Sequence, residues 1–345
     1  NNMDRKLAVI GSGATGCATA AYLTMNGWEV TLCDTEEQAG DFPTICSQSG
    51  ICLEGAVKSD NPQMPCCITT DFERTLLENR RILVCVSYGR QEEIARRCGP
   101  YVRADHVFLL SPGNLGSAVM RRHFKEDAVT GELSGNLWAC RRKRAGVITV
   151  ALPLGTVRAA AYPSEDYPKL EAAFGSVFSM EKGENIIEAA LNSPNVTSHL
   201  AGAVLNAVSI EQKNKDFCLF MDGMGQVLVD CIDQLEEERD RVLQTAGLQI
   251  YKGRSRGLME RIMEYGRHPE LDIFRSLDGP SDFSHRYVAE DASCGVAMLI
   301  SLARHYGVPV ALTEAFFQIS GKINGTDYGK TGRTLENLQL QPDCI

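Results

Sequence analysis

No stretch of this chain approaches the ~18 consecutive apolar residues that a membrane-spanning helix requires, so no helical membrane protein is expected. The chain opens polar and then enters a strand-like run directly, without the apolar core and small-residue cleavage site of a secretory signal. Internal repeats and low-complexity tracts are missing as well, which argues against a solenoid or a long disordered arm. The 13 cysteines include no Cys-x-x-Cys, so neither a zinc site nor a redox motif has the needed spacing and no metal is expected. They read as free thiols, which fits a reducing cytoplasm. A clustered basic face is lacking too: net charge is −9 and the Lys and Arg residues are dispersed, which argues against nucleic-acid binding. The run "RRKR" from Arg141 to Arg144 is the exception, readable as a solvated turn between strands or as a contact to a carboxylate or phosphate.

What is present is an ordinary globular composition, 44% hydrophobic and 23% charged, in 345 residues, a length that points to two domains. The first half alternates strand and helix signals: "KLAVIG", "EVTLCD", a weaker strand near "SGICLEG", then "RILVCVS" and "HVFLLSPG". Runs this apolar and β-branched predict a parallel sheet covered on both faces. The segment "GVITVALPLGTVRAAAYP" continues extended, as an antiparallel addition. After about Glu184 the pattern turns helical, as in "VDCIDQLEEERDRVLQTAGL" and "CGVAMLISLARHYGV". The expected fold class is α/β: an N-terminal Rossmann-type doubly wound parallel sheet over 1–183 and a mostly α-helical domain over 184–345.

The stretch "LAVIGSGATGCATAAYL" reads as strand, glycine turn and helix. Gly11 permits the tight turn, Gly13 lets a pyrophosphate approach without a Cβ in the way, and Gly16 lets helix and strand pack closely. Ser12, Ala14 and Thr15 complete the turn, whose N–H groups at the helix start suit phosphates. The second strand ends in Asp34, eighteen residues past Gly16, where an acid accepts hydrogen bonds from an adenosine ribose. Glu36 and Glu37 follow and no Arg lies immediately after the strand, which favours NAD over NADP without excluding the latter. FAD is a rival, since flavin sites share the fingerprint, although they often carry Glu at the ribose position. The turn Ser111, Pro112, Gly113 after "HVFLL" lies at the carboxyl end of the expected sheet, suited to line the nicotinamide side or to serve as an ordinary turn.

A proton carrier is next. His106, His123, His268 and His305 read as surface or capping residues. His199 in "NSPNVTSHLAGAVLN" lies just past the domain junction at the start of an apolar helix. Downstream, Arg286 suits a carboxylate anchor and Asp291 suits orienting a histidine; the alternatives are a surface Arg and a helix N-cap.

Four segments together, "VIGSGATGCATAAYL", "LLSPGNLGS", "NVTSHLAGAVLN" and "HRYVAEDASCGVAMLISLARHYGVPV", resemble the opine dehydrogenases of the octopine/nopaline type. The resemblance implies a catalytic helical domain in which His199 carries the proton, Asp291 pairs with it and Arg286 binds the oxo-acid carboxylate. It also implies the reaction: reduction by NAD(P)H of the imine between an amino acid and a 2-oxo acid, typically pyruvate. Family members often carry prolines around the histidine, where this chain has Val196 and Leu200. Two alternatives remain. One is a ketopantoate reductase or 3-hydroxyacid dehydrogenase, whose lysine and asparagine share a helix, here represented by Lys182 and Asn185; the other is a nicotinamide-binding regulatory protein without turnover. A homodimer is the base-rate expectation.

Overall fold

The computed structural model describes residues 5–284 and 286–345, with Arg286 described through its backbone alone. Two compact units meet in sequence between Ile186 and Ile187.

The first unit is built on an eight-stranded sheet in the order β11-β10-β7-β6-β5-β1-β2-β4. Its strands are β1 Lys6–Ile10, β2 Glu29–Cys33, β4 Cys67–Thr69, β5 Arg81–Val84, β6 Val107–Leu110, β7 Val129–Leu133, β10 Val157–Tyr162 and β11 Met180–Lys182. Neighbours run parallel except β10, which is antiparallel to β7. In β1, Leu7 and Val9 enter one apolar cluster and Ala8 and Ile10 another. Because side chains alternate faces along a strand, an unbroken apolar run means both faces are covered. Burial of each Leu, Val or Ile here contributes about 1.5–3 kcal/mol.

The chain leaves β1 toward β2 on one side and later returns to β5 on the other. That reversal places a crevice at the carboxyl end of β1, where the glycine turn begins.

The strand near "SGICLEG" forms, but in a different sheet. β3 (Cys52–Gly55) pairs parallel with β9 (Val147–Val150), which pairs antiparallel with β8 (Cys140–Arg144). This small sheet contacts the helix α1, Ala14–Met25, which also packs on β1. Covered from both sides, α1 is apolar nearly all round, with Gly16 to Ala21 and Leu23 buried. The basic run therefore lies in a strand rather than a turn. Arg142 pairs with Asp41 at 2.6 and 2.8 Å and Lys143 with Glu54 at 2.8 Å, so these two cations are engaged by neighbouring acids.

The second unit is helical. Its longest helix, Gln226–Thr245, packs against Asn195–Leu205, Ala297–Tyr306 and Ala311–Asn324. Leu228, Val229, Ile232, Leu235, Val242 and Leu243 form its buried stripe. Its Glu238 carboxylate accepts from the N–H groups of Leu312 and Thr313, at 3.0 and 2.7 Å, satisfying the amino end of the helix Ala311–Asn324. Among the described residues no helix is long and apolar enough to cross a membrane.

Candidate active site

In the first unit the glycine turn opens at the carboxyl end of β1. Gly11 has φ +112°, and a Cβ there meets the Cys85 carbonyl oxygen at 2.2 Å; at Gly16 a Cβ meets the Gly11 carbonyl oxygen at 1.8 Å. Both positions require glycine for the turn itself. Gly13 differs: its φ is −73° and a Cβ meets nothing within 4 Å. The open face at Gly13, beside the first-turn N–H groups of Ala14 and Thr15 that have no acceptor within the helix, fits a pyrophosphate. Gly11→Ala is expected to destabilise the unit by more than about 2 kcal/mol. Gly13→Ala is expected to change stability by less than about 0.5 kcal/mol. Nucleotide affinity nevertheless falls at least about tenfold, because the new methyl occupies the approach to the phosphates. Thermal melts alongside NADH titration check the pair, and equal melting losses in both variants contradict it.

Asp34 ends β2 with 1% of its surface exposed. Its Oδ2 accepts from the N–H and hydroxyl of Ser12, both at 2.8 Å, and its Oδ1 from the Thr35 N–H at 2.8 Å and the Arg90 guanidinium at 2.9 Å. The turn and the acid are thus joined directly, and a cation from a distant helix joins them.

The loop after β6 is held by two groups that sequence reading missed. Gln91 Nε2 donates to the carbonyls of Pro112 and Gly113, at 3.2 and 2.9 Å, and Ser111 Oγ accepts from the Leu137 N–H at 3.0 Å. Glu132 is fully buried, and its carboxylate accepts from the N–H groups of Leu115 and Ser117 and from the Ser117 hydroxyl, at 2.9, 3.1 and 2.7 Å. A Cβ on Gly113 meets Glu132 Cβ at 2.4 Å, so glycine is needed for the loop to lie over this carboxylate. Glu132→Ala strands buried donors and is expected to lower stability by about 1–3 kcal/mol per donor left unpaired. Denaturant titration checks it, and a midpoint unchanged from wild type contradicts it.

The Cys17 and Cys85 thiols, near the same turn, are pushed up to about 12, chiefly by burial. At neutral pH neither is a thiolate nucleophile.

In the second unit, His199 and Asp291 come together although 92 residues separate them. His199 lies in the helix Asn195–Leu205, which Ser198 Oγ braces by donating to the Pro194 carbonyl at 2.8 Å. Val196 and Leu200 are both buried in that helix. Asp291 ends the helix Arg286–Asp291. His199 Nδ1 lies 2.7 Å from Asp291 Oδ2, and the two residues are only 6% and 5% exposed. A carboxylate oxygen accepts, so Nδ1–H donates and Nε2 is the nitrogen left to exchange a proton. The Tyr287 ring stacks on the imidazole, centroids 3.9 Å apart and planes at 23°, fixing its tilt.

Directly after Asp291 the helix widens into a π turn, Ala292–Val296, before continuing as Ala297–Tyr306. Such turns change which face the following residues present and are frequent at functional sites. Here Gly295 meets Val196: a Cβ on Gly295 falls 2.5 Å from Val196 Cγ2. The contact lies one turn from the His199–Asp291 bond on both helices. Tyr287, Asp291 and Gly295 recur every four residues in the sequence, a spacing that marks one helical face.

The Arg286 side chain lies outside the described residues, although its backbone starts the Asp291 helix. Lys182 ends β11 and Asn185 lies before the helix Ile186–Leu191, so the two do not share a helix as the reductase alternative requires. His106 is fully buried with its ring nitrogens on the Arg103 N–H and the Leu76 carbonyl, a structural role. Among the described residues no group of three or more His, Cys, Asp or Glu is arranged to hold a metal ion.

Residues 182–324 match the model of the NAD/NADP octopine/nopaline dehydrogenase alpha-helical domain. An opine dehydrogenase of Arthrobacter sp. (strain 1C) is 27% identical over 96% of this chain and 94% of its own length. Along nearly its whole length the chain is similar to opine dehydrogenases. Residues 6–176 match a model of FAD-dependent oxidoreductases, the region that carries the fingerprint shared by flavin and nicotinamide sites. Two solved structures of octopine dehydrogenase share the fold. The one with NADH and pyruvate has a TM-score of 0.72 at 16% identity, covering 96% of this chain and 95% of that one. The one with NADH and L-arginine has a TM-score of 0.70 at 17% identity, covering 98% and 94%. The chain is an NAD(P)-dependent oxidoreductase of the type acting on the CH–NH group of donors.

Proposed function

We propose that this protein joins an amino acid to a 2-oxo acid, with pyruvate the favoured oxo acid, giving an N-(1-carboxyalkyl) amino acid. The observation that carries the reading is the buried His199–Asp291 pair at 2.7 Å, within the region that matches the octopine/nopaline dehydrogenase helical domain. The octopine dehydrogenase structures with pyruvate and with L-arginine support this pair of substrate classes.

The chemistry balances in two steps. The amino nitrogen forms a C–N bond to the oxo carbon and water leaves, giving an imine. Hydride addition to the imine carbon with protonation at nitrogen then gives the secondary amine. The reduced nicotinamide supplies the hydride when bound. His199 Nε2 supplies the proton. Asp291 holds the ring in the tautomer that leaves Nε2 free and stabilises its protonated form. Tyr287 keeps the imidazole plane fixed. Arg286 is the proposed anchor of the oxo-acid carboxylate, supported by its place at the start of the Asp291 helix and by the guanidinium's bidentate fit to carboxylates. Gly11, Ser12, Gly13, Ala14, Thr15 and Gly16 with Asp34 are the proposed nucleotide-binding residues, and Ser111, Pro112 and Gly113 the proposed loop toward the nicotinamide. The 13 cysteines, none joined in a disulfide among the described residues, support a cytoplasmic location.

Steady-state NADH oxidation with pyruvate alone, amino acids alone and both together tests the reading. Oxidation that requires both is expected. Equal rates with pyruvate alone contradict it and indicate a hydroxyacid dehydrogenase.

A further inference from the structure

The helix Arg286–Asp291 carries the proposed carboxylate anchor at its first residue, the ring that stacks on His199 at its second and the histidine's acid at its last, so both of its ends bear on the chemistry. Each end is held by the chain around and beyond the close of the helix Ala311–Asn324. That helix stops at Gly325, whose φ of +60° turns the chain back, and the Thr326 N–H closes the turn on the Gly321 carbonyl at 3.0 Å. Asp327 then caps the short helix Tyr328–Thr331 by accepting from the Lys330 N–H at 3.3 Å. The return brings Tyr328, only 5% exposed, back to Asn324. Asn324 Nδ2 donates to the Tyr328 hydroxyl oxygen and to the Phe283 carbonyl, both at 2.8 Å, which uses both of its N–H groups. Phe283 lies three residues before Arg286.

The other end is held through the π turn. There the Ala297 N–H bonds the Cys294 carbonyl, and the Ser293 carbonyl, its partner in a regular α-helix, accepts instead from the Arg333 N–H at 2.7 Å. Ser293 lies two residues past Asp291. Gly332 makes this approach possible: it is buried, its N–H bonds the Tyr328 carbonyl at 2.8 Å, and a Cβ there runs into that carbonyl oxygen and lies 2.8 Å from Ala297 Cβ. We propose that Asn324, Tyr328 and the Gly332–Arg333 peptide are positioning groups that clamp the helix Arg286–Asp291, Asn324 setting its carboxylate-anchor end and the Arg333 N–H its proton-transfer end. They act through Arg286 and Asp291 rather than on the substrate. The inference rests on the roles proposed for those two residues and adds what holds them in place.

The two ends have different kinetic signatures, read from steady-state rates of the full chain with NADH, pyruvate and an equimolar pool of the standard amino acids, with thermal melts on the same preparations. Asn324→Asp keeps the shape and still accepts from the Tyr328 hydroxyl, but its carboxylate cannot donate to Phe283. KM for pyruvate is expected to rise about tenfold with kcat within about threefold, the pattern of a displaced carboxylate anchor. Asn324→Ala removes the donor without adding charge and is expected to do the same, so either variant that melts cooperatively carries the test. Gly332→Ala lifts the Arg333 N–H off the π turn and is expected to lower kcat by about tenfold or more, with KM for pyruvate within about threefold. Earlier melting with an unchanged KM in the Asn324 variants overturns the inference, as does a Gly332→Ala variant whose kcat equals that of wild type. Arg286→Gln separates the clamp from the reading it rests on. A raised KM in Arg286→Gln beside an unchanged KM in the Asn324 variants overturns the clamp alone, whereas an unchanged KM in Arg286→Gln contradicts the anchor itself.

Discussion

Replacing His199 with glutamine is expected to lower kcat by roughly 10²–10⁴ while leaving NADH affinity within about threefold. Glutamine is chosen because its amide N–H can still donate to Asp291, which is only 5% exposed. Alanine instead leaves an uncompensated buried carboxylate, at about 3–5 kcal/mol, and confounds chemistry with unfolding. Asp291→Asn preserves the shape but removes the charge that stabilises the imidazolium and the acceptor that fixes the tautomer, and a loss of similar size is expected. The two residues form one bonded unit at 2.7 Å, so the double variant is expected to fall little below His199→Gln alone. Additive losses contradict the paired role. Steady-state kinetics at saturating substrates, with NADH titrations on the same preparations, read all three variants.

The second large effect concerns Gly295, which never touches the histidine. An added methyl falls 2.5 Å from Val196 Cγ2, so Gly295→Ala forces apart the two helices that carry Asp291 and His199. Overpacking of this kind costs about 1–3 kcal/mol of stability. The kinetic effect is larger, because a misplacement of about 1 Å in a proton-transfer site lowers the rate by roughly 10². The loss is expected in kcat, with KM for pyruvate changed by less than about threefold. Val196→Ala removes the opposing methyl and is expected to restore at least about tenfold of the lost kcat in the double variant. A variant that melts earlier but turns over normally contradicts the positioning role.

Local signals carried much of this structure into the sequence. Strand, glycine turn and helix are contiguous from Lys6 to Met25, and the need for glycine at Gly11 and Gly16 follows from their place in the turn. The helical half was legible because its long helices keep an apolar stripe, as Gln226–Thr245 does. Asp34 was legible because β1, α1 and β2 form a unit of nearly fixed length.

Features that depend on distant pairing were not legible. β7 went unseen because its interior holds Gly131 and Glu132, which read as loop. Their reasons are tertiary: a Cβ on Gly131 meets Leu170 Cδ2 at 2.5 Å, and the Glu132 carboxylate holds the Leu115 and Ser117 amides. β3 was visible as a strand but not its sheet, since its partner β9 begins at Val147, 95 residues beyond Cys52. Arg90 lies 56 residues beyond Asp34, so a search for arginine immediately after the strand passes over it.

The claim at the centre is that hydride from the nicotinamide and a proton from His199 create a secondary amine. Running the reaction with NADH deuterated at the transferred position, pyruvate and the best amino acid, and analysing the products by mass spectrometry, tests it most directly. The account predicts a condensed product bearing one deuterium on the pyruvate-derived carbon, formed in step with nucleotide oxidation and lost in His199→Gln. Deuterium appearing in lactate, with no condensed product, contradicts it.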